Sequence, residues 1–285
     1  MNSKIDMLNK ELIKKIEDFV SLKPRSTQEI AQHIGKNWRT ADRYIDEIEK
    51  EFGTISTRTF RGGTRGALKI VYWAAVEKAK SSAFQQHLEE QILRGRKKED
   101  FSAFDIYQHV EESKKDLHIK TENSEEFGGL KELKELILSA KKQMLVYSGN
   151  LSFINFKDEE TDIFSLIEEI VRNNVPIKVL SRVDLAGRDN VDKLLSLNLK
   201  YGKNLIEVRH REQPLRCLII DNNYFNIKEI KEPTGRSKEL DKKVFIFYNI
   251  KDKEWTEWIS KLFWKMFSSS VDAEKRLNEL NKIKI

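Results

Sequence analysis

The chain has 285 residues, 39% of them hydrophobic and 34% charged. That length suits two domains, and the apolar content is enough for sizeable cores, so a wholly disordered chain is excluded. A total of 52 bases against 46 acids leaves a net charge of +6, a mild excess whose distribution matters more than its sum.

The start, MNSKIDMLNKELIKK, alternates charge with apolar residues and has no signal-peptide core. No apolar run approaches the ~20 residues that span a bilayer, so no membrane partner is expected. The single cysteine, Cys217, excludes a disulfide framework within one chain and fits a reducing, cytoplasmic compartment. It sits in the apolar run Leu215–Ile220, where it reads as a small buried hydrophobe.

Residues 1–73 form the first region. Ile5, Leu8, Leu12, Ile16 and Phe19 repeat at helical spacing, and Pro24 follows that helix's end. Ser26 or Thr27 caps a short second helix, with Glu29 placed for a capping box if Ser26 is the cap. Gly35 ends it, and Asn37 can cap a third helix to about Glu51, with Ala41, Ile45, Ile48 and Phe52 on one face. Two strands follow, about Ile55–Phe60 and Leu68–Trp73, joined by the Gly-rich turn Arg61–Gly66.

Helix, short helix, turn, helix and basic hairpin is the order of a winged helix-turn-helix. Over about residues 5–73 the chain resembles archaeal and bacterial winged-helix transcription regulators, most specifically in STQEIAQHIGKNWRTADRYIDEIEKEFG. The resemblance implies that the third helix enters the major groove of double-stranded DNA, where base edges differ. Trp38, Arg39, Thr40 and Arg43 lie off the apolar face near its start. From Thr54 to Ile70 the hairpin carries Arg58, Arg61, Arg65 and Lys69 and no acid. With Gly62 and Gly63 at the tip, such a wing suits phosphates or the minor groove. The acids Asp42, Asp46, Glu47, Glu49 and Glu51 leave only the first turn of the third helix suited to DNA.

Residues 74–124 are charged, free of proline and helical in period. Val76, Ala79, Ala83, Phe84, Leu88 and Ile92 make one stripe, followed by a second helical stretch with Phe101, Phe104, Tyr107, Val110 and Leu117. The first stripe is expected to be a homodimer seam or a helix packed on its own chain. His87, His109 and His118 lack a metal-ligand spacing, and no cofactor or metal motif is present.

Residues 125–285 alternate strand and helix: a helix over Leu130–Ala140, a strand over Gln143–Ser148, a helix with Ile163 to Ile170, and a strand over Val175–Leu180. A helix with Val191 to Leu197 and strands over Leu205–Arg209, Leu215–Ile220, Tyr224–Ile227 and Val244–Tyr248 follow, then an aromatic helical end. The order βαβα implies an α/β domain with a mostly parallel sheet covered by helices. The successive marks LVYSGN, PIKVLSR, LIEVRHREQPLRCLIIDNNYFNI and IFYNIKDKEWTEWISKLFWKMF resemble the phospholipase D-like domain of TrmB-like archaeal regulators. The resemblance covers nearly all of residues 125–270.

Active members of the wider phospholipase D-like group carry H-x-K-x-x-x-x-D, whose histidine is the nucleophile. Here Arg216 and Asp221 take the lysine and aspartate spacing, and Pro214 stands at the histidine position. The domain is thus expected not to be an enzyme. Its strand ends carry Ser148, Asn150, Ser181, Arg182, Arg209 and His210, which with Arg216 and Asp221 suit a small anionic effector. The expectation is a sequence-specific DNA-binding regulator. A nuclease-like DNA-processing enzyme and an architectural or defence-associated DNA-binding protein are the alternatives.

Overall fold

Ser26 and Glu29 decide where the second helix begins. The Ser26 side chain accepts from the Glu29 amide, and the Glu29 carboxylate accepts from the Ser26 amide, so two amides that the first turn leaves open are satisfied reciprocally. The computed structural model that shows this describes residues 10–51, 54–61, 67–73, 81–121, 129–157, 162–233, 240 and 242–282. It divides the chain into two units: residues 1–84, 118–122 and 230–245, and residues 85–117, 123–229 and 246–285.

The first unit contains α1 (Lys10–Leu22), β1 (Arg25–Ser26), α2 (Thr27–Ile34), α3 (Trp38–Glu51), β2 (Ile55–Arg61) and β3 (Ala67–Trp73). Gly35, at φ 68°, takes the left-handed conformation that ends α2. The Lys36 amide then donates to the Ala31 carbonyl at 3.0 Å. The three strands form one antiparallel sheet in the order β1-β3-β2. Ile16 of α1, Ile30 of α2, Ala41, Tyr44, Ile45 and Ile48 of α3, and Ile55 and Val71 of the hairpin make its core, all at 0% exposure.

Helix α4 (Ser81–Arg94) follows, then α5 (Phe104–Tyr107) and β4 (Lys115–Thr121). The expected second helical stretch is therefore one short α-helix and a 3-10 turn over Glu112–Lys114, and Leu117 lies on a strand. Leu88 and Ile92 are 1% and 0% exposed, so these stripe positions pack on their own chain and present nothing to a second copy. Val76 and Ala79 lie outside the described residues.

The remaining elements are α6 (Gly129–Leu138), β5 (Met144–Ser148), α7 (Ile163–Arg172), β6 (Ile177–Ser181), α8 (Arg188–Tyr201), β7 (Ile206–His210), β8 (Cys217–Ile220), β9 (Tyr224–Lys231), β10 (Val244–Ile250), α9 (Lys253–Ser268), β11 (Val271–Asp272) and α10 (Ala273–Lys282). The large sheet has eight strands in the order β11-β7-β6-β5-β8-β9-β10-β4. β5, β6 and β7 are parallel, joined by the crossover helices α7 and α8. The sheet as a whole is mixed: β8 pairs antiparallel with β5 and with β9, and β11 antiparallel with β7. The β8–β9 reversal is local. Asp221 and Asn222 sit at φ 52° and 58°, and two consecutive left-handed residues make the tight turn that folds β9 straight back on β8.

Alternate side chains of the second unit's strands separate onto two covered faces. Met144, Val146, Ile177, Val179, Ile206, Val208, Leu218 and Ile220 pack against α6, α7, α8 and α10. On the other face Tyr147 meets Phe263 of α9 edge-on, with ring centroids 5.1 Å apart. Among the described residues no helix is long and apolar enough to cross a membrane.

Candidate nucleic-acid interface and strand-end rim

The start of α3 is built by its cap. The Asn37 side-chain oxygen accepts from the Thr40 amide at 2.9 Å, which fixes the first turn. Trp38 is partly buried against the core cluster, so it anchors the helix start. Arg39 and Arg43, one turn apart, are both exposed. The Arg39 guanidinium lies 5.7 Å from the Trp38 ring centroid, and that of Arg43 lies 5.2 Å from the ring of the fully buried Tyr44. Each arginine thus stands on a fixed aromatic base, which limits the rotamer freedom lost on binding. On β2, Arg58 lies 5.7 Å from the Phe60 ring.

Lys69 differs from these arginines. Its ammonium donates to Asp42 at 2.9 Å and also to Asp46, and its side chain is 17% exposed. Burial works against its charge, but the hydrogen bonds and charges of Asp46 and Asp42 outweigh that and raise its pKa. Lys69 therefore ties β3 to α3 and is not presented to a phosphate. Glu49 makes a parallel tie, accepting from the Thr57 amide and hydroxyl of β2, both at 2.8 Å. Asp42, Asp46 and Glu49 of α3 are therefore in part the dock for the hairpin. Arg61 ends β2; its side chain, with Gly62, Gly63 and Arg65, lies outside the described residues.

In the second unit, strand register sets a row of residues on one sheet face. Ser148 pairs with Ser181, and Ser181 with His210. Tyr147 pairs with Cys217, which sets Arg216 opposite Ser148. Cys217 pairs with Ile227, which sets Lys228 beside Arg216. The row therefore runs His210, Ser181, Ser148, Arg216, Lys228.

Much of this row holds loops in place. The Ser148 hydroxyl accepts from the Leu151 amide at 3.1 Å, and the Ser181 hydroxyl donates to the Gly149 carbonyl at 3.0 Å. The Asn150 side chain accepts from the Ser152 amide at 3.2 Å. Buried Gln213, which sequence reasoning passed over, donates to the Ser148 carbonyl at 2.9 Å and accepts from the Leu215 amide at 2.6 Å. His210 accepts from the Val183 amide through Nδ1 at 2.9 Å, so in the neutral ring the proton sits on Nε2. Burial, then Arg276, lower its pKa against the pull of nearby acids, which favours that neutral ring.

Arg182 and Arg216 are the arginines of the rim. Arg182 pairs with Asp184 at 2.8 Å and is half exposed. Arg216 is partly buried and donates to the Leu215 carbonyl at 2.7 Å. Its guanidinium lies against Gly149, where a Cβ would fall 2.6 Å from Nη2, so a close approach requires glycine there. Burial first, then the charge of Arg182, lower the Arg216 pKa, while Glu99 opposes them.

Arg209 and Asp221 do not join this rim. Arg209 has the opposite strand parity; it donates to Glu207 at 2.8 Å and to the Phe267 carbonyl of α9 at 2.9 Å. Asp221 accepts from the amides of Lys141, Lys142 and Gln143 at 2.8, 2.7 and 2.9 Å. Because β8 runs antiparallel to β5, the end of β8 lies at the start of β5, remote from the strand ends that carry Ser148 and Ser181. Pro214 is buried against Gly95, where a Cβ would fall 2.8 Å from the proline Cγ. Among the described residues no group of three or more His, Cys, Asp or Glu side chains could hold a metal ion.

No family model matches the chain, and no curated protein does. Solved structures do. TrmBL2, described as an archaeal chromatin protein with a novel mode of DNA binding, is 16% identical over 94% of this chain and 96% of its own, with a TM-score of 0.37. Nuc of Salmonella typhimurium, a phospholipase D family member, is 12% identical over 55% of this chain and 97% of its own, with a TM-score of 0.39. NucT from Helicobacter pylori is 14% identical over 55% of this chain and 99% of its own, with a TM-score of 0.38. The structures similar to this mixed α/β chain therefore include both a DNA-binding protein and a phospholipase D family member.

Proposed function

We propose that this chain is a sequence-specific regulator of transcription that binds double-stranded DNA through a winged helix-turn-helix, with α3 as its recognition helix. The observation that carries the reading is the pair Arg39 and Arg43. They project from the capped start of a helix whose opposite face is wholly buried, so they are held outward on a rigid support. Arginine forks match guanine edges in the major groove. Arg58 and the basic hairpin beyond it supply phosphate contacts that position without specifying. Selection of bound duplexes from a random pool tests this: a recurrent motif supports it, and recovery of unrelated sequences counts against it.

The second unit acts as a control domain, not as an enzyme. Pro214 at the nucleophile position and the engaged Nδ1 of His210 support that reading. Its effector is a small anion held at Arg216 and Arg182, with Ser148, Ser181, Asn150 and His210 shaping the rim. Arg209 and Asp221 are left out of this site, since strand parity sets Arg209 on the other sheet face and antiparallel pairing carries Asp221 to the start of β5. The working form is a homodimer whose two α3 helices meet successive half-sites. Leu88 and Ile92 are not its seam.

A further inference from the structure

Strand β9 is one continuous element whose residues belong to both units: those up to Glu229 to the second, Ile230 and Lys231 to the first. Within the first unit, Lys231 Nζ stands 3.4 Å from Glu29 Oε2, and its side chain is 15% exposed. These residues are 202 positions apart in sequence. That Glu29 oxygen also accepts from the Ser26 amide at 2.7 Å and the Ser26 hydroxyl at 2.8 Å. The other Glu29 oxygen lies 3.8 Å from Arg25. Lys231 thus neutralises the carboxylate that sets the first turn of α2.

The first turn of α2 matters for α3. Only Gly35, Lys36 and Asn37 separate the two helices, and Ile30, Ala31 and Ile34 of α2 share a core with Ala41, Tyr44 and Ile45 of α3. Packed helices move as bodies, because a close-packed interior transmits displacement. A tilt of α2 at its capped end therefore reaches Arg39 and Arg43.

We propose that Lys231 is a positioning residue for the DNA-reading helices, so that the DNA-binding unit is not residues 1–73 alone but includes the segment that β9 delivers. This rests on the reading of α3 given above. A lysine 202 positions away that holds the carboxylate of the cap makes α2 depend on residues far from its own flanks in sequence. The chain re-enters the first unit at residues 118–122 and 230–245.

The test uses the full chain with Lys231→Met, which keeps the stem and removes the charge, and Lys231→Arg, which keeps the charge. Amide exchange over residues 26–34 and affinity for the selected duplex across a salt series are measured. Lys231→Met is expected to speed exchange over 26–34 and to weaken duplex binding about fivefold or more, as loss of a charged hydrogen bond would. The slope of affinity against salt stays unchanged, because Lys231 itself touches no phosphate. Lys231→Arg restores both readouts. Unchanged exchange over 26–34, or a salt slope reduced by about one in Lys231→Met, overturns the proposal. If the wild-type protein does not bind the duplex, the DNA reading falls, and the exchange over 26–34 alone decides whether Lys231 holds the cap.

Discussion

Lys69 on β3 and Asp42 on α3 form an ion pair of 2.9 Å that holds the hairpin against the third helix. Lys69→Met leaves Asp42 and Asp46 facing each other without a cation. The expected cost is about 1–2 kcal/mol, from the lost charged hydrogen bonds and the remaining like charges. Urea denaturation followed by Trp fluorescence measures it. Because Lys69 does not face phosphate, the salt slope of duplex binding should not change. A slope lowered by about one would place Lys69 on the DNA instead.

Gly149→Ala separates the rim from the fold. The backbone there is not left-handed, but the new methyl group would fall 2.6 Å from Arg216 Nη2 and displace the guanidinium. The stability loss should stay near or below about 1 kcal/mol, since the far end of a flexible side chain can move. Any melting increase that inorganic phosphate or a phosphorylated metabolite gives the wild type should disappear in Gly149→Ala and in Arg216→Ala. An anion shift that persists in both variants places the anion elsewhere.

His109 gives the second unit an acid limit. Burial, then the charge of Lys115, push its pKa from 6.5 to about 4. Between those values the unfolded chain binds a proton that the folded chain does not. Stability is therefore fully present above about pH 6.5 and is lost as pH falls toward about 4. The contribution is about 1–2 kcal/mol after allowing for partial exposure. His109→Gln should narrow the difference in melting temperature between pH 7.5 and pH 4.5. An unchanged difference would assign the acid sensitivity to other groups.

Leu88→Ala and Ile92→Ala should each destabilise the chain by about 2–4 kcal/mol, as buried aliphatic truncations do. The loss should not depend on protein concentration, because these side chains pack on their own chain. Melting at several concentrations checks this, and a concentration-dependent loss would return them to a dimer seam.

Local signals carried much of this fold. The Ser26–Glu29 box, the Gly35 stop and the Asn37 cap are written in residues three or fewer apart, so no tertiary knowledge was needed to read them. The parallel strands β5, β6 and β7 were legible as apolar runs between helices. Partners across long separations were not. Asp221 keeps the motif spacing, yet antiparallel pairing of β8 carries it to the start of β5. Arg209 falls on the α9 face by strand parity, which a shift of one residue in the assigned strand would reverse. Residues 115–121 read as helix although Leu117 and Ile119 alternate with Asp116, His118 and Lys120, because two apolar positions on an outermost, half-buried strand are too few to break the helical period around them. That Asp46 and Asp42 hold the hairpin was not legible, because nothing local marks Lys69, 23 and 27 residues away, as their partner.

The most direct test of the DNA reading is a fluorescence anisotropy titration of the selected duplex with the wild type, Arg39→Ala, Arg43→Ala and the double variant. Each single change should cost about 1–3 kcal/mol and relax preference at one base pair, leaving affinity for random sequence nearly unchanged. If the double variant binds the selected duplex as the wild type does, α3 does not read DNA and the account fails.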